Sequence, residues 1–319
     1  MRRSSVLAAL ALCLGASQAQ AAGLQLIDIP ADATGPAITG AIWYPCAEAP
    51  SVVQIGKYSL RGAMNCKIAG NNLPLVVISH GRGGAFAGHQ DTAAQLADAG
   101  FVVAALNHPG DTSGDTSRSA DLAAFVARPA DVKRLIDFML GAAPLAPAID
   151  PKRIGFFGFS RGGYTGLVLI GANPDWALAM TLCQQSTARM CEQVRARQYP
   201  EGGLTHDPRI KAAVIADPLA FFLSGESIAS ITVPVQLWAS ERGGDGVDEH
   251  SVATVDKNLR SAHSYQVVAK AGHFAFLAPC PAALVDELPA LCRDAPDFDR
   301  AAFHQKLNDA VLSFFRSNL

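Results

Sequence analysis

Short, unbroken apolar runs alternate along the chain with longer stretches in which apolar residues recur every three or four positions. Leu75-Val76-Val77-Ile78, Phe101 to Leu106 and Ile154-Gly155-Phe156-Phe157 show no polar alternation. That is the pattern of strands buried on both faces. "IKAAVIAD", "VPVQLWAS" and "SYQVVAKAGH" continue the series downstream. Between the runs lie "HQDTAAQLADAG" and "ARPADVKRLIDFMLG", the second with Val132, Leu135, Ile136 and Met139 on one helical face. "RGGYTGLVLIGAN" reads as a buried helix and "AAFHQKLNDAVLSFFRSNL" as a closing one. Strands alternating with helices predict an α/β fold: a mostly parallel sheet with helices on both faces. Upstream, "LQLIDIP" and "AITGAIWYP" predict two more strands joined at "ADATGPA". Cys46 to Asn72, rich in Gly, Asn and Ser, reads as loop. Residues 172–208 break the alternation and are expected to form a small helical, cap-like insertion over the sheet's C-terminal edge. There is no internal repeat.

The first residues carry a different pattern. Arg2 and Arg3 precede an apolar run from Val6 to Leu14, and Ala19-Gln20-Ala21 follows as a small-residue cleavage site. Residues 1–21 are therefore expected to be a secretory signal peptide, too short to span a membrane, which leaves a domain of residues 22–319. Leu12, not a small residue, precedes Cys13, so no lipid anchor is expected. Its removal would take the formal net charge from −2 to −4. With half of its residues hydrophobic and 17% charged, the chain has material for a large globular core. No basic block suggests nucleic acid. Six cysteines remain, and they fall into three sequence-local pairs. In an oxidising compartment these are expected as Cys46–Cys66, Cys183–Cys191 and Cys280–Cys292. The spacing is wrong for zinc. A periplasmic or secreted location follows.

Ligands of such sheets bind at the carboxyl ends of the strands. One strand end carries Gly158-Phe159-Ser160-Arg161-Gly162, a G-x-S-x-G between strand and helix. In that context the motif is a nucleophile elbow: a tight turn that lifts a serine hydroxyl out of the sheet. A serine nucleophile needs a base. His273, just after the last strand, is the candidate, because the other histidines lack a strand-end position after an acid. His80 and His108 precede turns; His89, His206, His250, His263 and His304 read as surface positions. The orienting acid is expected in "ERGGDGVDE", at Asp245 between its glycines, with Asp217 one strand earlier as the rival. The order Ser160, Asp245, His273 is that of α/β-hydrolases. Oxyanion donors are expected at the amide of Arg161 and, in "HGRGG", at that of Arg82. The Arg161 side chain is expected at the mouth of the site. Gly81-Arg82-Gly83 is a poor dinucleotide loop, because Phe86 stands at the third glycine and the next strand ends on Asn107.

"LPLVVISHGRGGAFAGHQDTAAQLADAGFVVAALNHPGD", "GFFGFSRGG", "IWYP" and "AGHF" together resemble the dienelactone hydrolase-like and platelet-activating-factor acetylhydrolase-like families of α/β-hydrolases. The resemblance runs over roughly residues 24–318. It implies Ser160 as nucleophile, His273 as base and the Arg82 and Arg161 amides as oxyanion donors. Dienelactone hydrolases proper use a cysteine where this chain has Ser160. Secreted polyester hydrolases commonly carry Met where it has Arg161. The expected function is a secreted serine hydrolase that cleaves small carboxylic esters through an acyl-enzyme, with no cofactor, no metal and no stable membrane anchor. A peptidase or acyltransferase of the same fold, or a catalytically silent binding protein, remains open at this stage.

Overall fold

A computed structural model describes residues 21–56 and 58–319; the expected signal peptide lies outside the described residues except for Ala21. The strands are β1 (Ala21–Ile29), β2 (Ile38–Cys46), β3 (Ser51–Ile55), β4 (Tyr58–Met64), β5 (Leu73–Ser79), β6 (Val102–Asn107), β7 (Ile149–Phe159), β8 (Ile210–Ala216), β9 (Val235–Ser240) and β10 (His263–Val268). The helices are α1 (Gln90–Asp98), α2 (Ala123–Val126), α3 (Arg128–Leu140), α4 (Arg161–Leu169), α5 (Trp176–Leu182) and α6 (Arg189–Arg195). They continue with α7 (Gly225–Ala229), α8 (Glu249–Asn258), α9 (Ala282–Val285), α10 (Pro289–Cys292) and α11 (Arg300–Asn318).

One sheet runs in the order β10-β9-β8-β7-β5-β6-β2-β1-β4-β3. From β10 to β6 every pairing is parallel. β2 joins β6, and β1 joins β2, antiparallel. The unbroken apolar runs have the expected cause. Leu75 and Val77 pack with Val132, Leu135 and Met139 of α3 and Leu167 of α4. Val76 and Ile78, pointing the other way, pack with Leu96 of α1 and Leu307, Val311 and Phe315 of α11. A strand side chain alternates between faces, so a strand covered on both sides cannot afford a polar position on either. Each such Val, Leu or Ile contributes roughly 1.5–3 kcal/mol by leaving water.

Two sequence expectations change. The stretch from Cys46 to Asn72 is not all loop, because β3 and β4 form an antiparallel hairpin there. Leu60 is buried while Val52 on the edge strand is 70% exposed. A hairpin with one wet face needs little apolar content, which is why it passed for loop. His89 and His304 are buried rather than superficial. His89 packs on Phe157 and Phe159. His304, on the inner face of α11, bonds through Nδ1 to Asp91 Oδ2 (2.6 Å) and through Nε2 to the Ala275 carbonyl (2.9 Å).

Residues 172–208 hold α5 and α6, joined by Cys183–Cys191. Cys46–Cys66 and Cys280–Cys292 form the other two disulfides. Among the described residues, no helix is long and apolar enough to cross a membrane.

Candidate active site

The carboxyl ends of β5, β7, β8, β9 and the segment after β10 meet at one place. β7 ends at Phe159, and Ser160 turns the chain into α4 with φ 56° and ψ −118°. This left-handed conformation costs an L-residue on the order of 1–3 kcal/mol and persists only where the surroundings enforce it. Here the Ser160 N–H donates to the Ala216 carbonyl (3.0 Å), and its own carbonyl accepts from Tyr164 and Leu219 (3.1 Å each). The flanking glycines serve close approach. A Cβ on Gly158 would lie 2.2 Å from the Gly162 carbonyl oxygen, and one on Gly162 would lie 2.0 Å from that of Ser79. The helix therefore packs directly on two strand ends, and no side chain fits between.

His273 follows β10 at the start of a short turn whose N–H donates to the Gly243 carbonyl (2.8 Å). Its ring stacks on Phe159 with centroids 4.6 Å apart. His273 Nδ1 donates to Asp217 Oδ2 at 2.6 Å. Asp217 is fully buried and accepts further from the Ser240 N–H and hydroxyl, both at 2.7 Å.

The carboxylate on His273 is thus Asp217, not Asp245 as expected. Asp245 lies in a glycine turn at φ 47°, and its Oδ1 approaches Arg82 Nη2 at 3.4 Å. The turn meets His273 through its backbone, at the Gly243 carbonyl, while the Asp245 side chain borders the same cavity beside Arg82. A sequence signal for Asp217 existed. It is the first residue after the buried apolar run 212–216 that ends β8, the same placement that singled out Ser160, and β8 is the sheet neighbour of β7.

Ser160 Oγ and His273 Nε2 are buried, and neither has a hydrogen-bond partner. Both line one cavity of about 70 Å³, together with Gly81, Arg82, Phe274, Leu277 and Leu291. A larger groove of about 510 Å³ lies at the opposite end of the sheet, where β8 and β9 begin. Arg82 borders the Ser160 cavity with an exposed side chain. Arg161 opens α4 directly after Ser160, but its side chain is buried rather than at the mouth. It reaches Asp111 Oδ2 (2.7 Å) and the Ser119 carbonyl (2.9 Å), over the ring of Phe125.

A second line of the same residue types lies beneath. Ser79 Oγ bonds to His108 Nε2 (2.9 Å), and His108 Nδ1 to Asp131 Oδ2 (3.0 Å). Burial, and then the Arg128 charge, hold the imidazole of His108 well below its ordinary range. Burial pushes the Asp131 carboxyl up to about 7 against the pull of Arg128 and Arg134. This group is closed and satisfied, whereas the Ser160 group presents two unpartnered atoms to a cavity.

Comparison with known proteins agrees with this architecture. The ferulic acid esterase from Streptomyces cinnamoneus superposes with a TM-score of 0.65 at 18% identity, over 96% of this chain and 91% of that one. The chain has the α/β-hydrolase fold. The family described as platelet-activating factor acetylhydrolase, isoform II, matches residues 54–134, from the end of β3 to the middle of α3, so this segment is similar to that family. No curated protein matches the chain in sequence.

Proposed function

We propose that the chain is a secreted serine esterase in which Ser160 is the nucleophile, His273 the base and Asp217 the orienting acid. The observation that carries the reading is the pair of unpartnered atoms, Ser160 Oγ and His273 Nε2, facing one cavity, with the Nδ1 side of the imidazole held by a buried carboxylate. His273 Nε2 takes the Ser160 proton as Oγ attacks the ester carbonyl, and the imidazolium is stabilised by Asp217. The tetrahedral oxyanion is received by the Arg82 and Arg161 amides. His273 then protonates the leaving alcohol, and the same residue activates the water that releases the acid. The helix start at Arg161 favours the developing negative charge.

The cavity is small, about 70 Å³, and is bordered by Phe274, Leu277 and Leu291, which suits a small acyl group. The three disulfides fit an oxidising compartment, as does the signal-like sequence of residues 1–21. The test is turnover of p-nitrophenyl acetate, butyrate and decanoate by wild type and Ser160→Ala. Wild type is expected to favour acetate, and Ser160→Ala to lose activity on all three. Equal rates for the two proteins would refute the reading.

A further inference from the structure

One carboxylate touches both loops that carry the proposed oxyanion donors. Asp111, in the "NHPGD" segment after β6, is buried. Its Oδ1 accepts from the Gly83 N–H (2.9 Å) and the Ser119 hydroxyl (2.5 Å). Its Oδ2 accepts from Arg128 Nη2 and Arg161 Nη1, both at 2.7 Å. Arg128, the first residue of α3, is itself buried, and it clamps two consecutive carbonyls: Nη1 donates to His80 (2.6 Å) and Nη2 to Gly81 (3.1 Å). His80 Nδ1 also donates to the Gly81 carbonyl (2.6 Å), while its Nε2 accepts from the His108 N–H (3.1 Å).

The consequence for the Arg82 amide is geometric. In a trans peptide the C=O and the following N–H point in opposite directions. The Gly81 carbonyl is held inward by Arg128 and His80, so the Arg82 N–H on the same plane is directed away from that buried network. The next plane is fixed as well, because the Gly83 N–H belongs to Asp111. On the other side, Asp111 holds Arg161, whose amide immediately follows Ser160.

The geometry points to Asp111 as a positioning residue that sets the orientation and spacing of the two oxyanion-binding amides, acting through Gly83 and Arg128 on one side and Arg161 on the other. This rests on the esterase reading above. Asp111 touches no substrate. Two guanidiniums and two further donors surround it, and although burial opposes ionisation, they hold its carboxyl down to about 2. It is therefore a fixed anion in any working range. The arrangement also explains the side chain of Arg161: an arginine after the nucleophile is the far end of this tie.

The test compares Asp111→Asn, Arg128→Lys and Ser119→Ala with wild type in p-nitrophenyl acetate kinetics and in affinity for an alkyl boronic acid, which mimics the tetrahedral oxyanion. Asp111→Asn is expected to lower kcat by about 100-fold, comparable to losing one oxyanion donor, with KM changed by less than about threefold. Boronate affinity should fall in step with kcat/KM across the series, with Ser119→Ala showing a loss of only a few-fold. A merely structural role would lower the fraction of active protein and leave boronate affinity per active site intact. Active sites are counted by stoichiometric labelling with a fluorophosphonate. If wild type does not label, the esterase reading fails. If the variants label fully and keep kcat and boronate affinity, or if only KM rises, the positioning role fails. Should Asp111→Asn not fold, Arg128→Lys and Ser119→Ala carry the same test.

Discussion

Asp217–His273–Ser160 and Asp131–His108–Ser79 place the same three residue types in sequence at the ends of adjacent strands, β7 and β5. They meet where Gly162 packs on the Ser79 carbonyl. What separates them is not composition but satisfaction. In the inner group the serine already bonds to the imidazole, and the carboxyl is pushed toward neutrality by burial. In the outer group the carboxylate is held by three donors, and the serine is fixed at a left-handed turn with its hydroxyl unpartnered. A closed Ser-His-Asp line contributes stability; an open one, facing a cavity, can do chemistry. Residue types alone do not distinguish the two, so a triad has to be recognised by geometry.

The largest effect expected from this contrast is on turnover. Ser160→Ala should lower kcat by about 10⁴-fold or more. Ser79→Ala should leave p-nitrophenyl acetate hydrolysis within about tenfold of wild type. Its cost should appear in urea unfolding instead, at about 1–3 kcal/mol for stranding the His108 ring nitrogen. Reversal of the two activity losses would exchange the roles of the groups.

The two acids sharpen the comparison next. Asp217→Asn removes the anion that orients His273, and kcat is expected to fall by about 10³- to 10⁴-fold. Asp245→Asn breaks only its contact with Arg82, whose side chain is 54% exposed, and should change kcat/KM by less than about fivefold. Rates measured side by side decide between them, and a larger loss in Asp245→Asn would overturn the assignment.

The smallest effect concerns the inner group and pH. Asp131 keeps its proton in the folded protein up to about pH 7, whereas in the unfolded chain it is lost above about pH 4. The folded state binds the extra proton between these values, so this group's contribution is complete below about pH 4 and declines as pH rises to 7. His80 and His108, buried and neutral, act in the other direction, since the unfolded chain takes up their protons below about pH 6.5. Comparison of wild type with Asp131→Asn isolates the carboxyl. Unfolding free energies at pH 5 and pH 8 should shift in favour of the variant at the higher pH, on the order of 1–4 kcal/mol. No change in their difference would show that Asp131 is ionised throughout.

Much of this was legible in the chain. The apolar runs marked the parallel strands because burial on both faces leaves no room for polar positions. The G-x-S-x-G elbow was legible because its glycines answer a steric demand that any reader of the fold can anticipate, and the three disulfides because their partners are close in sequence. The acid was harder. Asp217 and Asp245 both come after strands and both adopt positive φ, and only their tertiary partners, Ser240 and His273 for the first and Arg82 for the second, tell them apart. The β3–β4 hairpin was hidden by its exposed edge. The Asp111 tie was hidden because it joins residues 50 and 17 positions away, with no local pattern to announce them.

The most direct measurement is peptide mapping by mass spectrometry after reaction with a fluorophosphonate. The account predicts a single adduct on Ser160, none on Ser79, and none anywhere in Ser160→Ala. An adduct on Ser79, or one that persists in Ser160→Ala, would contradict it.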